Sequence, residues 1–115
     1  MIEKRNQIAF LYDFYQGLLT EKQRQAMALF YEEDLSLGEI AQYFSVSRQA
    51  VYDMLKRSEA LLEHYESSLA LGAKYLQRTA LEKQLSHIAK ILQNNPDQEL
   101  WQKYWLIWQE IKEGD

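Results

Sequence analysis

The sequence contains no cysteine, a single proline and four glycines among its 115 residues. Without cysteine there can be no disulfide, thiolate metal site or cysteine nucleophile. No apolar run approaches the roughly 18 residues that a membrane-spanning helix needs. The charged start, Met1 to Asn6, has no apolar stretch behind it, so we predict no signal peptide. These absences predict an intracellular, cytoplasmic protein.

Positive charge is also scarce, because 13 Lys and Arg stand against 17 Asp and Glu for a net charge of −4. This balance argues against a protein that holds nucleic acid by bulk charge alone. Residues 1–70 carry the excess acid, whereas residues 71–115 carry equal numbers of each sign. Residues 47–57 hold three basic side chains and one acid. Any nucleic-acid binding should therefore be confined to one face and depend strongly on salt.

Few helix breakers and many strong helix formers predict an all-α fold with six helices. Residues 1–70 should form a helix-turn-helix module of three to four helices. Residues 71–115 should form a C-terminal helical extension, within a single domain spanning 1–115. The first helix shows its buried face as apolar residues at i, i+3, i+4 and i+7, namely Ile8, Leu11, Tyr12 and Tyr15.

Capping signals predict where the following helices begin. Thr20 with Gln23, and Ser36 with Glu39, have the spacing of capping boxes. The helix after Thr20 is predicted to end near Asp34. In the C-terminal extension, one apolar stripe runs through Leu76, Ala80, Leu85, Ile88 and Leu92. The last helix is predicted to start with Asn95 as N-cap and Pro96 as its first residue.

The stretch from Ser36 to Arg57 has the residue types of a helix-turn-helix at the required positions. Ile40 followed by Ala41 allows the second helix to cross closely over the first. A small residue, Ser45, occupies the turn, where the backbone is usually left-handed and glycine is most common. An apolar plug, a capping hydroxyl and inward-facing residues follow, namely Val46, Ser47, Val51 and Met54.

The second helix of such a motif points its first turn at base edges. The predicted nucleic-acid-binding residues are Ser47, Arg48, Gln49, Tyr52, Lys56 and Arg57. Arg48 could donate to guanine and Gln49 could pair with adenine, while Lys56 and Arg57 lie where phosphates would be. Asp53 is discordant, because a carboxylate repels phosphate. The alternative interpretation is a module that packs helices or binds protein.

The last helix is rich in aromatic residues, and we predict that it forms a homodimer interface through Trp101, Tyr104, Trp105 and Trp108. The alternative is that the same stripe, with Ile111, completes the core by packing on the preceding helix. A two-fold dimer would present two reading helices to a two-fold site.

No other pattern indicates chemistry. His64 and His87 lie on different predicted helices without further ligands, so no metal and no cofactor is expected. The acidic run Glu32 to Asp34 is interpreted as a solvated helix end, with a basic partner as the alternative. There is no phosphate loop or nucleophile elbow, and we expect no enzyme activity.

The stretch from Thr20 to Leu62 resembles region 4 of bacterial sigma factors in its Thr20–Gln23 opening and its turn from Val46 to Arg48. The resemblance implies a sigma-region-4-like or winged-helix-like module. The whole chain more closely resembles the YlxM family, from Glu3 to about Leu92. Outside the motif, the resemblance is carried by Leu11–Tyr12–Asp13–Phe14–Tyr15 and Leu18–Leu19–Thr20.

YlxM proteins are small bacterial proteins described as helix-turn-helix DNA-binding proteins associated with the signal recognition particle. The resemblance therefore implies a regulatory DNA-binding protein that takes part in that pathway. The alternative is an accessory protein that docks directly on the particle's protein or RNA without binding DNA.

Overall fold

A computed structural model describes residues 2–114, apart from the side chain of Ile2. Met1 and Asp115, the ends of the predicted 1–115 domain, lie outside the described residues. The helices are α1 (Ile2–Tyr15), α2 (Glu21–Tyr31), α3 (Leu37–Phe44), α4 (Arg48–Leu69), α5 (Leu71–Asn94) and α6 (Gln98–Glu113), with a 3-10 turn over Gln16–Leu18. Residues 2–114 contain no β-strand, so the all-α prediction is confirmed and the helix-turn-helix has no wing.

Both predicted capping boxes are present. The Thr20 hydroxyl accepts a hydrogen bond from the backbone N–H of Gln23 at 3.2 Å, and the Gln23 side chain accepts from the N–H of Thr20 at 3.0 Å. Ser36 and Glu39 exchange the same pair of bonds at 3.1 and 3.0 Å. Each box satisfies two backbone N–H groups that would otherwise lack a partner, which fixes the starts of α2 and α3.

The end of α2 differs from the prediction. The helix ends at Tyr31 and not near Asp34, which instead adopts a left-handed backbone with φ of 55°. Asp is among the few non-glycine residues that visit this region readily. The side chain of Asp34 then pairs with Arg5 at 2.6 Å, and Arg5 also donates to the carbonyl of Phe30 at 2.7 Å. One end of the acidic run is therefore tied to α1.

The chain divides into two compact units, the first ending at Gly72 and the second beginning at Ala73. In the first unit, the long α4 contacts α1, α2 and α3. Twelve buried residues form the core: Ile8, Leu11, Tyr12, Tyr15, Leu19, Ala26, Met27, Ile40, Ala41, Val51, Leu55 and Leu62. All four residues that predicted the buried face of α1 are among them.

The second unit is a helical pair with a small core made of Leu85, Ile88, Leu92, Ile107 and Ile111. The prediction that Leu76 and Ala80 continue this stripe is wrong, because both side chains are exposed. The step from Ala80 to Leu85 is five residues, which turns an α-helix by about 140° and leaves the first two positions on another face. α6 is also shorter than α5, at 16 against 24 residues, so it pairs with only part of α5.

The start of α6 is another correction. Asp97, and not Asn95, is the N-cap, and its carboxylate accepts from the N–H of Glu99 at 2.9 Å. Pro96 therefore lies before the helix and is not its first residue. A carboxylate is favoured at this place because it both accepts a hydrogen bond and faces the positive end of the helix dipole.

The prediction that the aromatic residues of α6 share one face is wrong. Trp101, Trp105 and Trp108 are 55%, 57% and 41% exposed. Tyr104 instead packs against the second core, beside the buried Ile111. The cause is the direction from which α5 packs on α6, which partly buries Tyr104 and leaves the three indoles exposed.

Candidate nucleic-acid interface

The turn between α3 and α4 has the geometry that a helix-turn-helix requires. Ser45 is left-handed, with φ of 56° and ψ of 48°. The N–H of Val46 donates to the carbonyl of Ala41 at 3.0 Å, and the N–H of Ser45 donates to that of Gln42 at 3.2 Å. These two bonds are those of a Schellman motif, in which the left-handed residue ends the helix abruptly. The turn predicted at Ser45 is confirmed.

α4 begins directly after this turn. The hydroxyl of Ser47 accepts from the N–H of Ala50 at 3.0 Å. Ser47 is therefore the N-cap of α4, as predicted. Val51 is fully buried and Met54 is half-buried against the core of the first unit. The opposite side of the helix is left to solvent, and the predicted binding residues all lie there. Ser47, Arg48, Gln49, Tyr52, Lys56 and Arg57 are each exposed.

Arg48 lies over the start of α3. A Cβ built on Gly38 would come within 3.0 Å of both Nε and Nη2 of Arg48, so the guanidinium occupies the space that the missing side chain leaves. The two residues belong to the wall of an open groove of about 600 Å³, which Ser36, Glu39, Gln42 and Ser45 also line. Arg48 is thereby held between the two helices of the motif, and the contribution of Gly38 could not be read from the sequence.

Gln49 and the discordant Asp53 form a pair. The Gln49 amide donates to Oδ1 of Asp53 at 2.9 Å, one helical turn away. The carboxylate therefore orients the amide that was predicted to read adenine. The same carboxylate also keeps a negative charge on the exposed face of α4.

Lys56 is held by two neighbours on α4. Its Nζ lies 3.5 Å from Oε2 of Glu59 and 5.5 Å from the centre of the Tyr52 ring. The hydroxyl of Tyr31 on α2 donates to the other oxygen of Glu59. Burial, and then this hydrogen bond, raise the pKa of Tyr31, so the hydroxyl keeps its proton. Glu59, which was absent from the predicted site, could have been found from its i+3 spacing to Lys56.

The two histidines lie on different helices. His64 lies on α4 and His87 on α5. Among residues 2–114, no group of three or more His, Cys, Asp or Glu is arranged to hold a metal ion. Within the same described residues, no helix has the length and apolarity to cross a membrane.

Comparison with known proteins agrees with the motif. Residues 2–102 match the model of UPF0122, described as "Putative helix-turn-helix protein, YlxM / p13 like". The chain is 56% identical over 85 residues to the UPF0122 protein BH2485 of Halalkalibacterium halodurans, covering 74% of this chain and 78% of that protein. It is 54% identical over 88 residues to a UPF0122 protein of Bacillus thuringiensis, covering 76% of this chain and 80% of the relative. With this extent of similarity, the chain belongs to the UPF0122 family of YlxM/p13-like helix-turn-helix proteins.

Proposed function

We propose that this protein is a cytoplasmic bacterial regulator that binds DNA through α3 and α4 and acts by binding, without catalysis. The observation that carries the proposal is the left-handed turn at Ser45, which leads into α4 with its polar face in solvent. In this motif the second helix enters the major groove with its N-terminal residues toward the bases. A role in the signal recognition particle pathway is part of the proposal and rests on the YlxM resemblance.

The contacts of the site refine the proposed roles. Arg48 sits beside the start of α3, close to where the first helix of the motif crosses the DNA backbone, so we assign it to phosphate as well as to guanine. Arg57 forms no ion pair among the described residues and is a free cation for a phosphate. Two copies acting together would present two α4 helices to a two-fold site.

The test is fluorescence anisotropy with duplex DNA from the protein's own promoter, at two salt concentrations. We expect a binding constant that falls steeply with salt, because each neutralised phosphate contributes a slope of about −0.9 on a double-logarithmic plot. Arg57→Ala should reduce the slope by about one unit. Lys4→Ala, which removes an exposed cation from α1, is the matched control and should leave it unchanged. Absence of any salt-dependent binding would contradict the proposal.

A second candidate is an accessory protein that docks on the protein or RNA of the signal recognition particle. Two observations favour it: the excess of acid in residues 1–70, and the carboxylate of Asp53 on the face that would meet phosphate. Co-purification from a lysate with and without nuclease separates the two functions. Particle protein that stays bound after nuclease treatment would favour docking on protein.

A further inference from the structure

The exposed face of α6 is uncharged over most of its length. Trp101, Trp105 and Trp108 lie within about 60° of one another around the helix axis. Leu106, which is 63% exposed, extends the face on one side. The polar residues among them are Gln98, Gln102 and Gln109, and Lys112 follows at the C-terminal end. The charged residues Glu99, Lys103 and Glu110 lie beyond Leu106, on the next side of the helix, and Glu113 lies near Leu106 in angle at the C-terminal end. We call this surface the Trp/Gln face.

The Trp/Gln face contains a groove, and packing holds one wall of that groove in place. Gln98, Trp101, Gln102, Trp105 and Leu106 line an open apolar groove of about 510 Å³. The ring of Trp101 meets that of Tyr104 edge-on, with centroids 5.8 Å apart. Tyr104 is itself packed on the second core, so it holds one wall of the groove in place. An indole that is already positioned loses less side-chain freedom when it is covered.

We propose that the Trp/Gln face pairs with the same face of a second copy of this chain. The first argument is charge, because a surface without charge between Gln98 and Gln109 offers nothing to a strongly charged partner. Glutamine amides carry both donors and acceptors, so the same surface can satisfy itself across a two-fold axis. Interface centres are likewise rich in Trp and depleted of charge.

The second argument is size. Side chains as large as Trp bury about 150–250 Å² each when fully covered. With about half of each indole exposed, the three Trp and Leu106 offer roughly 400 Å² of apolar surface per copy. A stable interface needs about 800 Å² per partner. Four side chains supply half of that area, and the glutamines between them and the residues around them extend the contact.

The third argument is the small core of the second unit. Among the described residues, five buried side chains from two helices form this core, and Leu81, Leu100 and Tyr104 pack against it while partly exposed. Helical units this small usually need another element to cover their apolar surface. Two such helical pairs that meet through α6 form a four-helix bundle, in which each copy supplies what the other lacks.

This inference rests on the part of the proposed function in which two copies act together. Its test contains no DNA, so dimer formation and DNA binding can each fail without the other. Light scattering on the full chain should give twice the 13.7 kDa mass of one copy. Trp105→Gln should give the single-copy mass, with unchanged helix content by circular dichroism. Leu76→Gln is the matched control, because Leu76 is also 57% exposed but lies on α5, and it should remain dimeric. A wild-type chain of single-copy mass at tens of micromolar, or dissociation by Leu76→Gln in place of Trp105→Gln, would overturn the proposal.

The absence of cysteine allows a second, direct test. Gln102→Cys places a single thiol on the Trp/Gln face, and Lys103→Cys places one outside that face, about 100° farther around α6. A short bis-maleimide should link two copies of the first variant and leave the second unlinked. Equal linking of both variants, or linking of Lys103→Cys alone, would contradict the assignment of the face.

Discussion

The hydroxyl of Tyr15 donates to the carboxylate of Glu66 at 2.6 Å, joining α1 to α4 across 51 residues of sequence. The same hydroxyl accepts from the N–H of Leu71 at 3.0 Å, and Glu66 accepts from the N–H of Gly72 at 2.9 Å. Leu71 and Gly72 are the first residues of α5, whose N–H groups have no partner within the helix. Two side chains therefore cap α5 directly after the left-handed Ala70, where α4 has ended.

Tyr15→Phe should lower the free energy of unfolding by about 1–3 kcal/mol, because it leaves the N–H of Leu71 and the Glu66 carboxylate each short of a partner. Urea unfolding followed by circular dichroism measures the change. Tyr12→Phe is the matched control, because Tyr12 is equally buried but its hydroxyl makes only a long contact of 3.4 Å to the carbonyl of Arg24. Equal effects of the two substitutions would show that the hydroxyl of Tyr15 has no special role.

Gly72→Ala should be destabilising by about 1–3 kcal/mol, the usual range for overpacking. The new Cβ would lie 2.9 Å from Cε2 of Phe10 and 3.1 Å from both carboxylate oxygens of Glu66. Gly17→Ala is the control, since nothing lies within 4 Å of a Cβ built there. Thermal unfolding of both variants should show a clear decrease in Tm for the first only. A Gly72→Ala protein as stable as wild type would mean that Phe10 and Glu66 move aside freely.

Ser45→Gly should stabilise the protein by about 1 kcal/mol, because a left-handed backbone costs a non-glycine residue about that much. The turn itself would be unchanged, so DNA binding should be unaffected. Ser68→Gly, in the last turn of α4, is the matched control and should destabilise by a few tenths of a kcal/mol. A lower Tm for Ser45→Gly would mean that the Ser45 side chain makes a stabilising contact that outweighs the relief of strain.

The structural features behind these three predictions differ in whether the sequence alone predicts them. The turn at Ser45 and the capping boxes at Thr20 and Ser36 were predictable, because each depends on residues within four or five positions of one another. Their hydrogen bonds form between neighbours in the chain wherever the rest of the protein lies. The pair of Tyr15 and Glu66 was not predictable, since its partners meet only after α1 has packed on α4.

Contacts that form only on packing also account for the wrong prediction of a single aromatic face on α6. Helical periodicity predicts one stripe of aromatic residues along α6, but it does not show which side of the helix α5 covers. The spacing of Trp101 and Tyr104 predicts that both are equally exposed, but α5 covers part of Tyr104 and leaves Trp101 exposed. In the candidate site, the exposed face of α4 followed from the motif, whereas the contacts of Arg48 with Gly38 depend on how α3 crosses α4.

The capping box at Ser36 should make stability depend on pH. Hydrogen bonds from the backbone and side chain of Ser36 hold the pKa of Glu39 below its ordinary value of 4.5. A carboxyl with a lowered pKa contributes stability above its unfolded pKa, and that contribution is lost as pH falls through the folded value. The unfolding free energy of wild type minus that of Glu39→Gln should therefore be constant near neutral pH and decrease below about pH 4.5.

The other capping box supplies the control for this pH dependence. Gln23 occupies in α2 the place that Glu39 occupies in α3, and it does not titrate. Gln23→Ala should therefore lower the unfolding free energy by the same amount at pH 7 and pH 3.5. If the Glu39→Gln difference were equally independent of pH, the capping carboxylate would not be the titrating group.

Asp53→Asn should strengthen DNA binding if α4 is the reading helix. The substitution removes the one negative charge within residues 47–57 but keeps an oxygen that can accept the Gln49 amide. We expect a several-fold decrease in Kd at low salt, which shrinks at high salt because the gain is electrostatic. Asp13→Asn makes the same change of charge on the exposed side of α1 and should have a much smaller effect. Equal gains from both variants would indicate a response to net charge alone, and weaker binding by Asp53→Asn would show that the carboxylate itself contacts a base.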